Sequence, residues 1–446
     1  MLNVRMKKAL TIAGSDSGGG AGIEADLKTF ASFGVHGMAA ITSVTAQNTM
    51  GVEAIKDLPP SMVRKQIECV ADDMGIDAAK TGMLSNASII KAVAKTVEKY
   101  DFPLVVDPVM IAKGGAHLLK EEAMDTLMGS IVPLATVITP NRFEAERLSG
   151  MKIRSKEDAR KAARKIARMG AEAVIIKGGH LGRKATDILY HKGKFYEYEG
   201  KRIKGCTHGT GCSFSAAIAA NLALGNDLKE SVATAKKFIT MGIAYGVEIG
   251  HGHCPVNSMA WLGKDAERWR VFNKLGMAVE RLMEMDIANF IPEVGMNFAY
   301  ALPAIYVKGS DDVAAVEGRI VRAGNRARGG EIKFGASRHL ARALMKAMEF
   351  DEKMRAVMNI KFDKDIIKRA GKRFTVSFYD RSEEPEVVKR KEGATLPWGI
   401  ESAIRKARKM PDVIYHEGDV GKEPMILIFG REPEEVLWKF GKITQL

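Results

Sequence analysis

Residues 204–225 read KGCTHGTGCSFSAAIAANLALG. A glycine-rich turn runs into an Ala-rich stretch in which Phe214, Ile218 and Leu222 recur at helical spacing, and Gly225 is a plausible stop. With Gly209 and Gly211 flanking Thr210, successive backbone N–H groups can point into one concavity, and a helix beginning near Cys212 adds its positive dipole end. Such a turn suits the terminal phosphoryl group of a nucleotide, and the same glycines would also serve an ordinary tight connection. Cys212 at the junction is either a small buried helix residue or a reactive thiol.

Working outward, the runs ALTIAG, MAAITSVT, DAAKTGM, PLVVDPV, ATVITPN and AVIIKGG alternate with amphipathic stretches, the rhythm of a parallel sheet with crossover helices. Ile23, Leu27 and Phe30 mark one such helix and Gly34 its end, while Lys192-Gly193 reads as a hairpin turn. Ligands of parallel sheets lie beyond the carboxyl ends of the strands. The residues there are Ser15-Asp16, Asp107, Asn141 with Glu144 three positions on, and Lys177. Carboxylates, an amide and a lysine on one edge favour phosphoryl transfer. GAGIEA (20–25) fits a dinucleotide turn, but no acidic residue ends MAAITSVT to hold a ribose, so that site is not expected. HGHC (251–254) is expected to be a loop turn rather than a metal site.

A chain of 446 residues suggests two domains, and the texture changes between residues 260 and 270. With 46% hydrophobic and 27% charged residues, and neither a leader nor a membrane-spanning run in view, a folded cytoplasmic protein with no membrane partner is expected. Cysteines 69, 206, 212 and 254 show no disulfide framework and suit a reducing compartment. The net charge of +14 is spread over a chain that also carries 54 acidic residues, without a helix-turn-helix or aromatic platforms, which argues against a nucleic-acid partner. Between 319 and 343, seven Lys or Arg face one Glu, which is either a solvated face or a multivalent anion site.

Taken in order, GSDSGGGAGIEADLKTF, TAQNTMGV, KTGML, VVDPVM, TPNRFEAE, KGGH and THGTGCSFSAAI resemble the hydroxymethylpyrimidine/phosphomethylpyrimidine kinases of thiamine biosynthesis, within the ribokinase-like superfamily. The resemblance spans residues 1–262 and implies a three-layer α/β/α domain with a mostly parallel sheet. It implies pyrimidine binding by Gly14, Asp26, Gln47 and Met83, and ATP binding by Asp107, Asn141, Glu144 and Lys177, with Mg2+ at Asp107 or Glu144. Gly209, Thr210 and Gly211 become the anion hole and Cys212 the base, a thiolate whose pKa the helix terminus and nearby cations would lower. A dimer is also implied. From 268 to 446, FGASRH, FYDRSEEP, PDVIYHEGDVGKEPMI and MNIKF resemble an archaeal-type thiamine-phosphate synthase domain, a second α/β fold that also occurs as a ligand sensor. Coupling a pyrimidine diphosphate to thiazole phosphate needs cations for the departing diphosphate, and Arg326, Arg328, Arg338, His339 and Lys422 are the candidates.

Overall fold

The short apolar runs become strands because both faces of the sheet they form are covered. The computed structural model describes residues 5–111, 115, 118–119, 121–178, 184–200, 202–419 and 422–446, so Gly179 and His180 of the KGGH stretch and Gly421 beside Lys422 lie outside the described residues. The chain divides into two compact units, residues 1–262 and 263–446.

In the first unit the elements run β1 (Lys8–Ala13), α1 (Gly22–Ser32), β2 (His36–Ile41), β3 (Ser43–Gln47), β4 (Val52–Asp57), α2 (Pro60–Asp73), β5 (Ala78–Thr81), α3 (Ala87–Val97) and β6 (Leu104–Val106). They continue through the short α4 (Met124–Thr126), β7 (Val137–Ile138), α5 (Arg142–Ser149), α6 (Lys156–Ala167), β8 (Ala173–Ile176), β9 (Ala185–His191), β10 (Lys194–Gly200), α7 (Thr210–Ala223) and α8 (Leu228–Ala244). The sheet order is β10-β9-β8-β7-β6-β5-β1-β2, parallel from β8 to β2, with β9 antiparallel to both neighbours. Ile89, Val93, Leu148 and Ile166 pack on one face, and Phe214, Ile218, Val232 and Phe238 on the other, which gives three layers. Between β9 and β10, Lys192 and Gly193 both take positive φ, the two-residue turn whose twist matches the strands.

MAAITSVT is not one strand. After Ile41 the chain leaves the sheet, and β3 pairs with β4 as a separate two-stranded ribbon. Burial alternates along β3 as in a half-exposed ribbon, with Ser43 and Thr45 buried and Val44 and Ala46 exposed.

α9 (Ala260–Glu284) crosses the division, and the second unit is built on β11 (Asn297–Ala301), β12 (Val313–Val316), β13 (Ile320–Ala323), β14 (Arg326–Gly329), β15 (Ile332–Phe334), α10 (Arg338–Met348), β16 (Ala356–Lys361), α11 (Lys364–Gly371), β17 (Val376–Phe378), α12 (Glu386–Lys389), α13 (Thr395–Ala407), β18 (Val413–His416), β19 (Met425–Gly430) and α14 (Pro433–Thr444). Its sheet, β15-β12-β11-β16-β19-β18-β17, is antiparallel except for the β17–β18 pair, and β13–β14 form a separate hairpin. Alternate residues of β11 enter opposite cores: Phe298 and Tyr300 pack with α9 and α14, Ala299 and Ala301 with α10 and α13. This is an α/β domain of mainly antiparallel kind.

Candidate active site

Five parallel strands end along one edge of the first sheet, and the segments that leave their carboxyl ends meet in a single cavity of about 590 Å³. Gly14 comes after β1, Met83 after β5 and Asp107 after β6; Asn141 and Glu144 open α5 beyond β7, and Lys177 comes after β8. Gln47 enters from the β3–β4 ribbon. Gly209, Thr210, Gly211 and Cys212 close the cavity at the start of α7. Gly209 is the left-handed N-cap at φ 76°, and a Cβ there would run into the Gly20 carbonyl, so glycine is required twice over. The cradle thus comes from a backbone conformation that side chains forbid.

Asn141 and Glu144 form a reciprocal capping box, in which each side chain accepts from the other's backbone N–H, at 3.0 and 2.7 Å. Burial pushes the Glu144 carboxyl up to about 7; the charge of Lys177 opposes this and that of Asp107 adds to it. Lys177 donates to Asp107 at 3.1 Å. Burial works against its charge, yet Asp107 and Glu144 hold its pKa above the ordinary lysine value. Asp107 also accepts from Ser215 at 3.2 Å and Thr139 at 3.3 Å.

Two expectations are corrected here. Asp26 does not line the cavity. It is fully buried behind the wall, where Oδ2 accepts from Lys80 Nζ at 2.8 Å and Thr11 Oγ1 at 2.6 Å. Lys80, passed over in DAAKTGM because it sits inside an apolar run, is the residue of that pair that reaches the cavity. Cys212 is not a low-pKa thiol: desolvation pushes it up to about 11, with Asp26 and Asp107 adding to the rise. Lys80 and a backbone N–H from Gly22 oppose the shift without cancelling it.

The cysteine reading is corrected as well: Cys206 and Cys254, 48 residues apart, form a disulfide. It staples the loop before the cradle to the HGHC turn, where His208 N–H donates to the Cys254 carbonyl and Val256 N–H to that of His208. Cys69 and Cys212 remain free thiols. His208 is a residue that sequence reasoning missed. Its Nε2 lies 3.1 Å from Asp16 Oδ2 and it lines the cavity beside Gln47.

In the second unit, desolvation lowers the pKa of His339, and Arg319, Arg342, Arg381 and Lys422 lower it further. Desolvation, Arg381 and His339 bring His416 down to about 4. His339 and Lys422 therefore share one cationic field with three arginines that the sequence reading did not select. Gly393 lies so close to the Arg342 guanidinium that a Cβ would overlap it. Arg326 and Arg328 are exposed on the β13–β14 hairpin, and Arg338 is exposed at the first position of α10. None of these three is among the leading charges acting on His339.

A parallel sheet with a lysine–carboxylate group and a glycine cradle at its carboxyl edge defines a small-molecule kinase of the ribokinase type. Residues 16–257 match the family model for phosphomethylpyrimidine kinase, and the chain belongs to that family. Residues 274–442 match the model for thiamine-phosphate synthase ThiN, so a kinase and a synthase-family domain of thiamine biosynthesis are joined in one chain. Over 98% of its length the chain is 33% identical to the bifunctional thiamine biosynthesis protein ThiDN of Methanocaldococcus jannaschii, 98% of which is covered. It is 48% identical, over 57% of its length, to the hydroxymethylpyrimidine/phosphomethylpyrimidine kinase of Bacillus subtilis, 95% of which is covered. Among solved structures, pyridoxal kinase of Bacillus subtilis in an ADP complex is 42% identical over 57% of this chain and 98% of that one, with a TM-score of 0.54. Among the described residues, no helix is long and apolar enough to cross a membrane.

Proposed function

We propose that the first unit phosphorylates 4-amino-5-hydroxymethyl-2-methylpyrimidine twice with ATP, and that the second joins the resulting diphosphate to thiazole phosphate and releases diphosphate. One observation carries the kinase half: Gly14, Gln47 and Met83 share a single cavity with Asp107, Asn141, Glu144 and Lys177, and the Gly209–Cys212 turn borders it. Groups suited to a heterocycle and groups suited to a triphosphate thus lie within one reaction volume.

In this reading Lys177 and the backbone N–H groups of the cradle draw charge from the transferring phosphoryl group. Cys212 takes the proton of the primary alcohol as that oxygen attacks in line. For the second transfer the nucleophile is a phosphate oxygen, mostly ionised already because its second pKa is near 6, so that step needs no base. Asp107 and Glu144 offer hard oxygen donors beside Lys177, a set that fits Mg2+ held by one or two carboxylates together with nucleotide oxygens. The ion would neutralise charge at the β- and γ-phosphates. Asp26 acts by holding Lys80 beside Cys212 rather than by touching the pyrimidine.

For the synthase half, Arg319, His339, Arg342, Arg381 and Lys422 would stabilise the departing diphosphate, with arginine forks on its oxygens. A sensor domain could bind the same anions without turnover. The deciding experiment gives the full chain the hydroxymethylpyrimidine, thiazole phosphate, ATP and magnesium and identifies the products by mass. Thiamine phosphate supports both halves; pyrimidine diphosphate that accumulates without it refutes the synthase half.

A further inference from the structure

Asp16 folds the glycine-rich turn after β1 around its own carboxylate. Oδ1 accepts from Gly18 N–H at 2.9 Å, and Oδ2 from Gly20 N–H at 3.1 Å and Ala21 N–H at 2.8 Å. A carboxylate so surrounded by donors is ionised and can only accept. His208 Nε2 approaches the same Oδ2 at 3.1 Å, so Nε2 must carry a proton. The His208 backbone is bonded on both sides to the 254–256 segment, and the ring lies so close to Gly20 that a Cβ there would strike it.

The structure places the side-chain nitrogen of Gln47, Nε2, 3.5 Å from that same imidazole Nε2. The two ends of a carboxamide have the same shape, and hydrogen bonding alone decides which end faces a neighbour. An NH2 turned toward the ring would set donor against donor, whereas Oε1 meets Nε2–H attractively. Exchanging the two ends, so that Oε1 faces His208 and the NH2 faces the cavity, is therefore the assignment that the hydrogen bonds favour.

We infer that Asp16, acting through His208, fixes the hydrogen-bonding end that Gln47 presents, and so selects a heterocycle with an unprotonated ring nitrogen at that edge. This rests on the reading that Gln47 faces the pyrimidine. A 4-aminopyrimidine offers such an acceptor. Its 4-oxo counterpart carries N–H in the same place and meets a second donor, the kind of mismatch that binding sites reject strongly. His208 is thus a positioning residue for specificity, distinct from the groups that handle phosphate.

The test measures kcat/KM of the full-length enzyme for 4-amino-5-hydroxymethyl-2-methylpyrimidine and for its 4-oxo analogue. His208→Gln keeps a donor near Nε2 and should hold the wild-type preference within about threefold. His208→Leu should lose at least about tenfold of the preference, through KM for the pyrimidine and not KM for ATP. An unchanged preference in His208→Leu overturns the inference. Nitrogen-15 NMR of the wild-type imidazole gives a second decision that needs no variant: a proton on Nε2 is expected, and a ring protonated on Nδ1 alone overturns the Asp16–His208–Gln47 relay. A wild-type enzyme that leaves the aminopyrimidine unphosphorylated would instead sink the kinase reading itself.

Discussion

The buried thiol of Cys212 makes a quantitative demand on the first phosphoryl transfer. With its pKa at about 11, four units above neutrality, roughly one molecule in 10⁴ carries the thiolate at pH 7. If the thiolate is the base, kcat/KM for the hydroxymethylpyrimidine should climb close to tenfold per pH unit from pH 7 to 9. With the monophosphate as substrate, the profile should be flat over the same range, because the nucleophile is already ionised. Cys212→Ala should abolish the climb and lower the alcohol reaction by about 10²–10⁴, with a far smaller loss for the monophosphate. The assay follows ADP release with each pyrimidine supplied separately, at saturating ATP and fixed ionic strength. A flat wild-type profile with the alcohol, or equal losses for the two substrates, would refute the assignment of the base.

Three further outcomes are expected. Lys80→Met leaves the Asp26 carboxylate buried without its cation and should destabilise the first unit by about 3–5 kcal/mol in urea unfolding; a loss below about 1 kcal/mol would mean that the pair is not buried. Glu144, raised to about 7 from 4.5, stabilises the fold fully only below the unfolded value, and that contribution disappears as pH rises through 7. Glu144→Gln has no proton to lose, so relative to wild type it should gain stability on the order of 3 kcal/mol between pH 4 and pH 8; parallel pH curves would contradict this. Arg342→Met, which removes one of the charges acting on His339, should lower thiamine phosphate formation about 10²-fold while kinase turnover stays within twofold, and a matching loss in both reactions would count against separate sites.

Much of the first unit was readable in the chain, because buried parallel strands are continuous apolar runs and the chemistry of such sheets gathers at their carboxyl ends. Asp107, Asn141, Glu144 and Lys177 could be placed on one edge from the ends of the apolar runs alone, and the glycines at 209 and 211 were compatible with a backbone cradle or an ordinary tight turn. The spacing of seven motifs pointed to a family as well. None of this required knowing which side chain touches which.

Contacts between elements far apart in sequence were decided by the tertiary structure. Lys80 and Asp26 meet because β5 pairs with β1 in the register that sets Lys80 beside Thr11, and α1 packs on β1; the pairing turns an apparent substrate ligand into the buried support of a cation. Cys206 and Cys254 are joined because two loops run side by side at His208 and Pro255. The thiol of Cys212 is raised rather than lowered because desolvation depends on the whole surrounding volume, whereas only the helix terminus could be seen in the local sequence. Periodicity and glycine placement are local properties of the backbone, and the sequence carries them openly. Burial, charge pairing and proton affinity are sums over neighbours in space, and they exist only once the chain has folded.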